Sequence, residues 1–221
     1  MQVKTLEREI EKALTIKWEM HVNILSKTQA TFLSKLSDFL DDNPTAVIVI
    51  RPQSYLVKEK EYILLFDAKR KYLTSTGAIQ SGDLSVADST MINKMSAKDS
   101  LFVNYLGKQS SDKLIFTIQD KCRTLIPQSQ IDANYERLLG LRKTYFCDFF
   151  SPHALKNQIV FKAGNTTIPY NGFSFYKIEY VNELPESLTK AYEKLNQLND
   201  EAPRKEFEDK RKSQKSITTG L

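Results

Sequence analysis

Glycine and proline are scarce, seven of each in the whole chain, and neither G-x-G-x-x-G nor G-x-x-x-x-G-K-[ST] occurs. That excludes the glycine-rich loops that cradle phosphates in dinucleotide-binding and P-loop proteins. Only two cysteines occur, Cys122 and Cys147. They are too few for a disulfide framework or a cysteine zinc finger, and the expectation is buried thiols in a reducing compartment. With two histidines, His21 and His153, a His-rich metal site or a His-relay hydrolase has little to work with. The longest apolar runs, such as Ala46 to Ile50, are too short to span a membrane. The first residues, MQVKTLEREIEKAL, contain no apolar signal-peptide region. The reading is a cytoplasmic chain with no membrane partner.

What is present is an ordinary globular composition, with 41% hydrophobic and 27% charged residues. A chain of 221 residues can bury a sizeable core without staples. The net charge of +5 permits a polyanionic partner without demanding one.

Leu6, Ile10, Leu14 and Trp18 recur every four residues and predict a helix over 4–26. Phe32, Leu33, Leu36, Phe39 and Leu40 predict a second, closed by Asp41-Asp42-Asn43-Pro44. Ala46 to Ile50 is β-branched and continuous, like a buried strand. Tyr62-Ile-Leu-Leu-Phe66 reads as a second strand, joined to the first as an antiparallel hairpin through Lys58–Glu61. Residues 73–88 read as loop, 89–106 as helix and 113–118 as a third strand. Residues 131–151 are ambiguous, with a cluster of aromatics. Further strands are expected over 158–161 and 172–181, and a helix over 185–198. Residues 200–221 carry almost no apolar side chain and read as a polar, flexible tail.

The most informative local pattern is Asp67-Ala68-Lys69 at the end of an apolar stretch. On a strand, residues two apart share a face, so the carboxylate and the ammonium would point at one spot. A metal-dependent nuclease needs such a pair, a hard oxygen ligand for Mg²⁺ beside a lysine close to the attacking water. An acid two residues before a lysine arises about twice by chance in a chain of this composition, so the strand context carries the reading.

The segments Val47-Ile-Val-Ile-Arg-Pro52, Tyr62-Ile-Leu-Leu-Phe-Asp-Ala-Lys-Arg-Lys-Tyr72 and Ile92-Asn-Lys-Met95 together resemble the PD-(D/E)XK nuclease superfamily. Within it they are similar to the nuclease domain of McrC-type restriction subunits. The resemblance covers roughly residues 45–105. It implies an α/β (α+β) fold in which helices flank a central mixed β-sheet, restriction-endonuclease-like, with an N-terminal helical segment. Residues 1–199 would form a single domain, with N-terminal helices over 1–42 and the core motifs over 45–125.

The implied activity is Mg²⁺- or Mn²⁺-dependent cleavage of DNA phosphodiester bonds in restriction or anti-phage defence. Asp67 would ligate the metal, Lys69 would orient water, and Gln53 stands where the family has an aspartate. Glu19 is the candidate for an added helical acid, with Asp41 and Asp42 as other replacement carboxylates. Arg51, Arg70, Lys71, Asn93, Lys94 and Lys98 would form a rim for the phosphate backbone. A homodimer or a partner ATPase or GTPase subunit would complete the assembly. Because Gln53 supplies no charge, the alternative is a non-catalytic nucleic-acid-binding or assembly subunit.

Overall fold

Thr15-Ile-Lys-Trp-Glu19 alternates polar and apolar, and in the computed structural model, which describes residues 2–109 and 117–199, it is strand β1. The expected helix over 4–26 therefore stops early, as α1 (Gln2–Leu14). The four-residue spacing that suggested a longer helix also satisfies a strand, because residues four apart lie on one strand face. After α2 (Lys27–Asp42) comes β2 (Val47–Gln53), as expected. The chain then enters α3 (Leu56–Ser75), so the expected strand over 62–66 and its hairpin are not formed. Lysine, glutamate, leucine and alanine fill this stretch, all strong helix formers.

The loop expected over 73–88 is loop over 76–85, with helix only at its two ends, since α3 runs to Ser75 and the next helix starts at Val86. α4 (Val86–Lys94) and α5 (Ser100–Gln109) divide what the sequence suggested as one helix. Most of the strand expected over 113–118 lies outside the described residues, but Thr117 caps α6 (Ile118–Leu125). The ambiguous region becomes α7 (Gln128–Cys147), followed by α8 (Pro152–Asn157), β3 (Ile159–Phe161), β4 (Phe173–Val181) and a helix, α9, over 186–199. The expected tail over 200–221 also lies outside the described residues.

The chain is α+β, a mixed four-stranded sheet with helices around it. The strand order is β1-β4-β2-β3; β4 is antiparallel to both β1 and β2, and β2 is parallel to β3. Ile16 and Trp18 of β1, Ile48 and Ile50 of β2, and Tyr176 and Ile178 of β4 face the same way. They bury against Leu33, Leu36 and Leu40 of α2 and Phe146 of α7. Each such side chain contributes about 1.5–3 kcal/mol on burial. The buried Gln158 amide ties this layer together, donating to the carbonyls of Leu40 (2.8 Å), Asn43 (3.0 Å) and Ala46 (3.1 Å).

A second core joins α3, α5, α6 and α7 through Ile63, Leu64, Phe102, Cys122, Ile131 and Leu138. Helices α3 and α7 thus anchor this helical layer, and α7 reaches the sheet core through Phe146. Past Gln53 the chain stays extended against residues 164–167, with Ser54 N–H donating to the Asn165 carbonyl (2.8 Å) and Leu56 N–H to that of Thr166 (3.0 Å). Gly164 is required there, because a Cβ would collide with the Pro52 carbonyl oxygen. Among the described residues no helix is long and apolar enough to cross a membrane.

Candidate functional site

Residues two apart on a helix diverge by about 200°, so Asp67 and Lys69 do not meet. Asp67 turns toward α7, where its Oδ2 accepts from the amides of Asn134 (2.6 Å) and Gln130 (3.1 Å). Lys69 turns toward α6, and burial lowers its pKa while the Cys122 thiol opposes that shift. Burial pushes the Cys122 thiol up to about 11, so it is an inert core residue.

The other expected metal ligands are equally scattered. Gln53 ends β2 opposite Phe175, about three helical turns before Asp67 along α3. Glu19 ends β1, exposed, rather than sitting on a helix. Asp41 accepts a hydrogen bond from the Ser151 hydroxyl at 2.9 Å. Among the described residues no three His, Cys, Asp or Glu side chains gather as a metal site. The donor set Asp67, Gln53 and Glu19 therefore does not fit a Mg²⁺ or Mn²⁺ ion, because the residues lie apart and Asp67 is already held by two amides.

Of the expected phosphate rim, Arg70 lines one cavity with Asn93 and a second with Lys71, and the others stand apart. Arg51 pairs with Glu179 on the sheet (2.8 Å), and Lys71 donates to the Leu125 carbonyl at the end of α6 (2.9 Å). Lys94 ends α4, and Lys98 sits in the exposed loop before α5.

What the fold does assemble is a cavity of about 480 Å³ between α3, α4, α7 and the β1–α2 loop. Its walls include His21, Phe66, Asp67, Arg70, Asn134 and Arg137, with Asn93 on the α4 side. Asp67 is only 6% exposed, yet its Oδ1 accepts no hydrogen bond among the described residues. Arg70 is anchored through Nη2 to the Gly82 carbonyl (2.6 Å). Arg137 is exposed and forms no hydrogen bond or ion pair among the described residues. The His21 ring lies 4.3 Å from that of Phe66, tilted at 43°.

A buried ion pair sets the loop that carries His21. Glu59 and Arg142 are 0% and 1% exposed, with Arg142 Nη1 and Nη2 reaching the two carboxylate oxygens at 3.1 and 3.0 Å. Four of the five guanidinium N–H groups are engaged, and each carboxylate oxygen accepts twice. Arg142 donates to the carbonyls of Val22 and Glu19, both at 2.8 Å. Glu59 accepts from the His21 N–H (2.6 Å) and from the Ser174 hydroxyl. Removing two charges from water costs several kcal/mol per ion, and only this many hydrogen bonds can offset it. The pair thereby holds His21 at φ +61°, a left-handed conformation that costs a non-glycine residue about 1–2 kcal/mol.

Burial lowers the His21 pKa from 6.5, opposed by Asp67 and Glu59 and assisted by Arg142 and Arg137. The fold thus prefers the neutral ring, and protons bind the unfolded chain preferentially. The stability this contributes is complete above about pH 6.5 and is lost as pH falls below it, until the folded ring titrates as well. His21→Asn keeps a residue tolerant of positive φ and removes the titration. Urea unfolding at pH 7.5 and pH 5 should show a smaller acid-side loss of stability in this variant than in the parent. An equal loss in both would show that His21 is not the proton-linked group.

Sequence reasoning missed His21, Glu59, Asn134, Arg137 and Arg142. The available signal was Glu59, Ile63 and Asp67 at four-residue spacing, and Arg142 on the stripe Ile131, Tyr135, Leu138, Phe146. Charged residues at core positions of a helix are rarely idle. Compared with known proteins, the chain matches no family profile, no curated protein and no solved structure.

Proposed function

We propose that the chain is a non-catalytic nucleic-acid-binding module that takes an unpaired nucleotide into the cavity between α3, α4 and α7. The observation that carries this is one 480 Å³ cavity lined by two guanidinium groups, a ring pair and a carboxylate with an open oxygen. Its volume falls within the range of small-ligand sites. Arg70 and Arg137 offer planar donors to a phosphate. His21 and Phe66 offer a ring surface against which a base can pack. Asp67 Oδ1 can accept from an exocyclic amino group, and Asn134 fixes the carboxylate that does so. The net charge of +5 favours a polyanion at modest strength. A metal-dependent nuclease is the less supported reading, because its three expected ligands lie apart.

Fluorescence anisotropy with short single-stranded DNA and RNA tests the proposal. Binding should weaken as salt rises, since phosphate contacts release counterions. Plasmid and oligonucleotide should stay intact with Mg²⁺ or Mn²⁺. Arg137→Ala, at an exposed residue, should leave the melting temperature unchanged and weaken binding by about tenfold at low salt. No binding of either nucleic acid would overturn the proposal. Metal-dependent cleavage abolished by Asp67→Ala would replace it with the nuclease reading.

A further inference from the structure

Asp67 and Arg70 line not one cavity but two. On their far side lies a second, of about 450 Å³, with Lys71, Tyr105 and Gln130 in its walls. The Asp67 carboxylate stands between them, and its Oδ2 receives one amide from each side, Asn134 from the first cavity and Gln130 from the second. These donors are one turn apart on α7, so a single helix face closes both cavities. Arg70 is held at the same boundary by the Gly82 carbonyl, and among the described residues only Nη2 is engaged, which leaves its other N–H groups to donate to a ligand.

We infer that the two cavities are successive nucleotide subsites on one strand, with Arg70 on the phosphate that joins them; this rests on the nucleic-acid reading above. Each subsite has its own ring surface. The first has His21 and Phe66, and the second has Tyr105, whose ring is fixed 5.3 Å from Tyr72. Each has a cation beyond Arg70, namely Arg137 in the first and Lys71 in the second. The carboxylate between them repels a phosphate, so a strand crossing the boundary does so over Arg70 and turns its bases toward Asp67. The ligand class is therefore a single-stranded dinucleotide step, free or within a longer strand, and not a duplex.

Isothermal titration of the full chain with deoxycytidine 5′-monophosphate, the dinucleotide pdCpdC and the trinucleotide pdCpdCpdC, whose bases carry the exocyclic amino group from which Asp67 would accept, reads this directly. The second nucleotide should tighten binding by about tenfold, the scale of one base–ring stack, and the third should add much less. Tyr105→Leu should abolish the gain and leave mononucleotide binding as it was. Lys71→Gln, at an exposed position outside the core, should reduce the gain without touching the fold. A mononucleotide that binds as tightly as pdCpdC overturns the subsite inference alone. Equal weakening of both ligands by Lys71→Gln does the same. If none of the three ligands binds, the nucleic-acid reading falls and this inference with it.

Discussion

Arg142→Ala should destabilise the chain by about 3–5 kcal/mol, the scale for breaking a buried pair by removing one partner. Among the described residues, the substitution leaves the Glu59 carboxylate, 0% exposed, with only the His21 N–H and the Ser174 hydroxyl. It also removes the guanidinium donor from the Val22 carbonyl and from the Glu19 carbonyl, which keeps the Val22 N–H at 3.1 Å. In a chain of this size the melting temperature should fall by on the order of 10 °C. Glu59→Gln should cost nearly as much, because it leaves the guanidinium buried beside a neutral amide. The double replacement Glu59→Leu, Arg142→Met leaves no charge in the core, so its cost should fall well below the sum of the single ones. What remains in the double variant is the unheld β1–α2 loop. His21 should then be displaced from the cavity, and nucleotide binding should weaken even where stability recovers. Urea titration of the three variants measures the first effect and anisotropy the second. A loss under about 1 kcal/mol for Arg142→Ala would show that the pair does not hold the loop.

Strands β2 and β4 were legible because they follow one simple rule, whereas β1 read as helix. Val47 to Ile50 and Phe173 to Val181 are β-branched or aromatic runs with turn residues at their ends, and both became strands. Helix α3 was not legible by the same rule, since Tyr62 to Phe66 is a short apolar run that fits a strand or a helix equally. Its helical stripe is visible only when Glu59 and Asp67 are counted as core positions beside Ile63. The two acids that disguise the helix are the ones that build the site, Glu59 by setting the His21 loop and Asp67 by dividing the cavities. Local pattern and global fold conflict most where residues are kept for something other than stability. The cavity itself could not be read, because its residues come from segments as distant as His21 and Arg137, which meet through the packing of α3 on α7 and the Arg142 hydrogen bonds to the β1–α2 loop.

Trp18 connects this polar layer to the sheet core, and Trp18→Ala should cost about 3–5 kcal/mol. The indole is 0% exposed and meets the rings of Tyr145 and Tyr176 edge-on at 6.0 and 5.5 Å. The Arg142 guanidinium lies 5.7 Å from its centroid, so the ring also lines one side of the buried charge. Two terms separate on replacement. The cavity term follows lost volume and is large for alanine. A second term has the opposite sign, because Nε1 is buried without a partner among the described residues and that unmet donor already costs about 1–3 kcal/mol. Trp18→Phe keeps a ring under the guanidinium and removes the unmet donor while losing only part of the volume. It should therefore cost markedly less than Trp18→Ala, and the difference should exceed what side-chain size alone predicts. Chemical denaturation of the two variants beside the parent decides the matter. A phenylalanine variant as unstable as the alanine one would show that the indole nitrogen is satisfied in solution and that the full bicyclic shape is what this core requires.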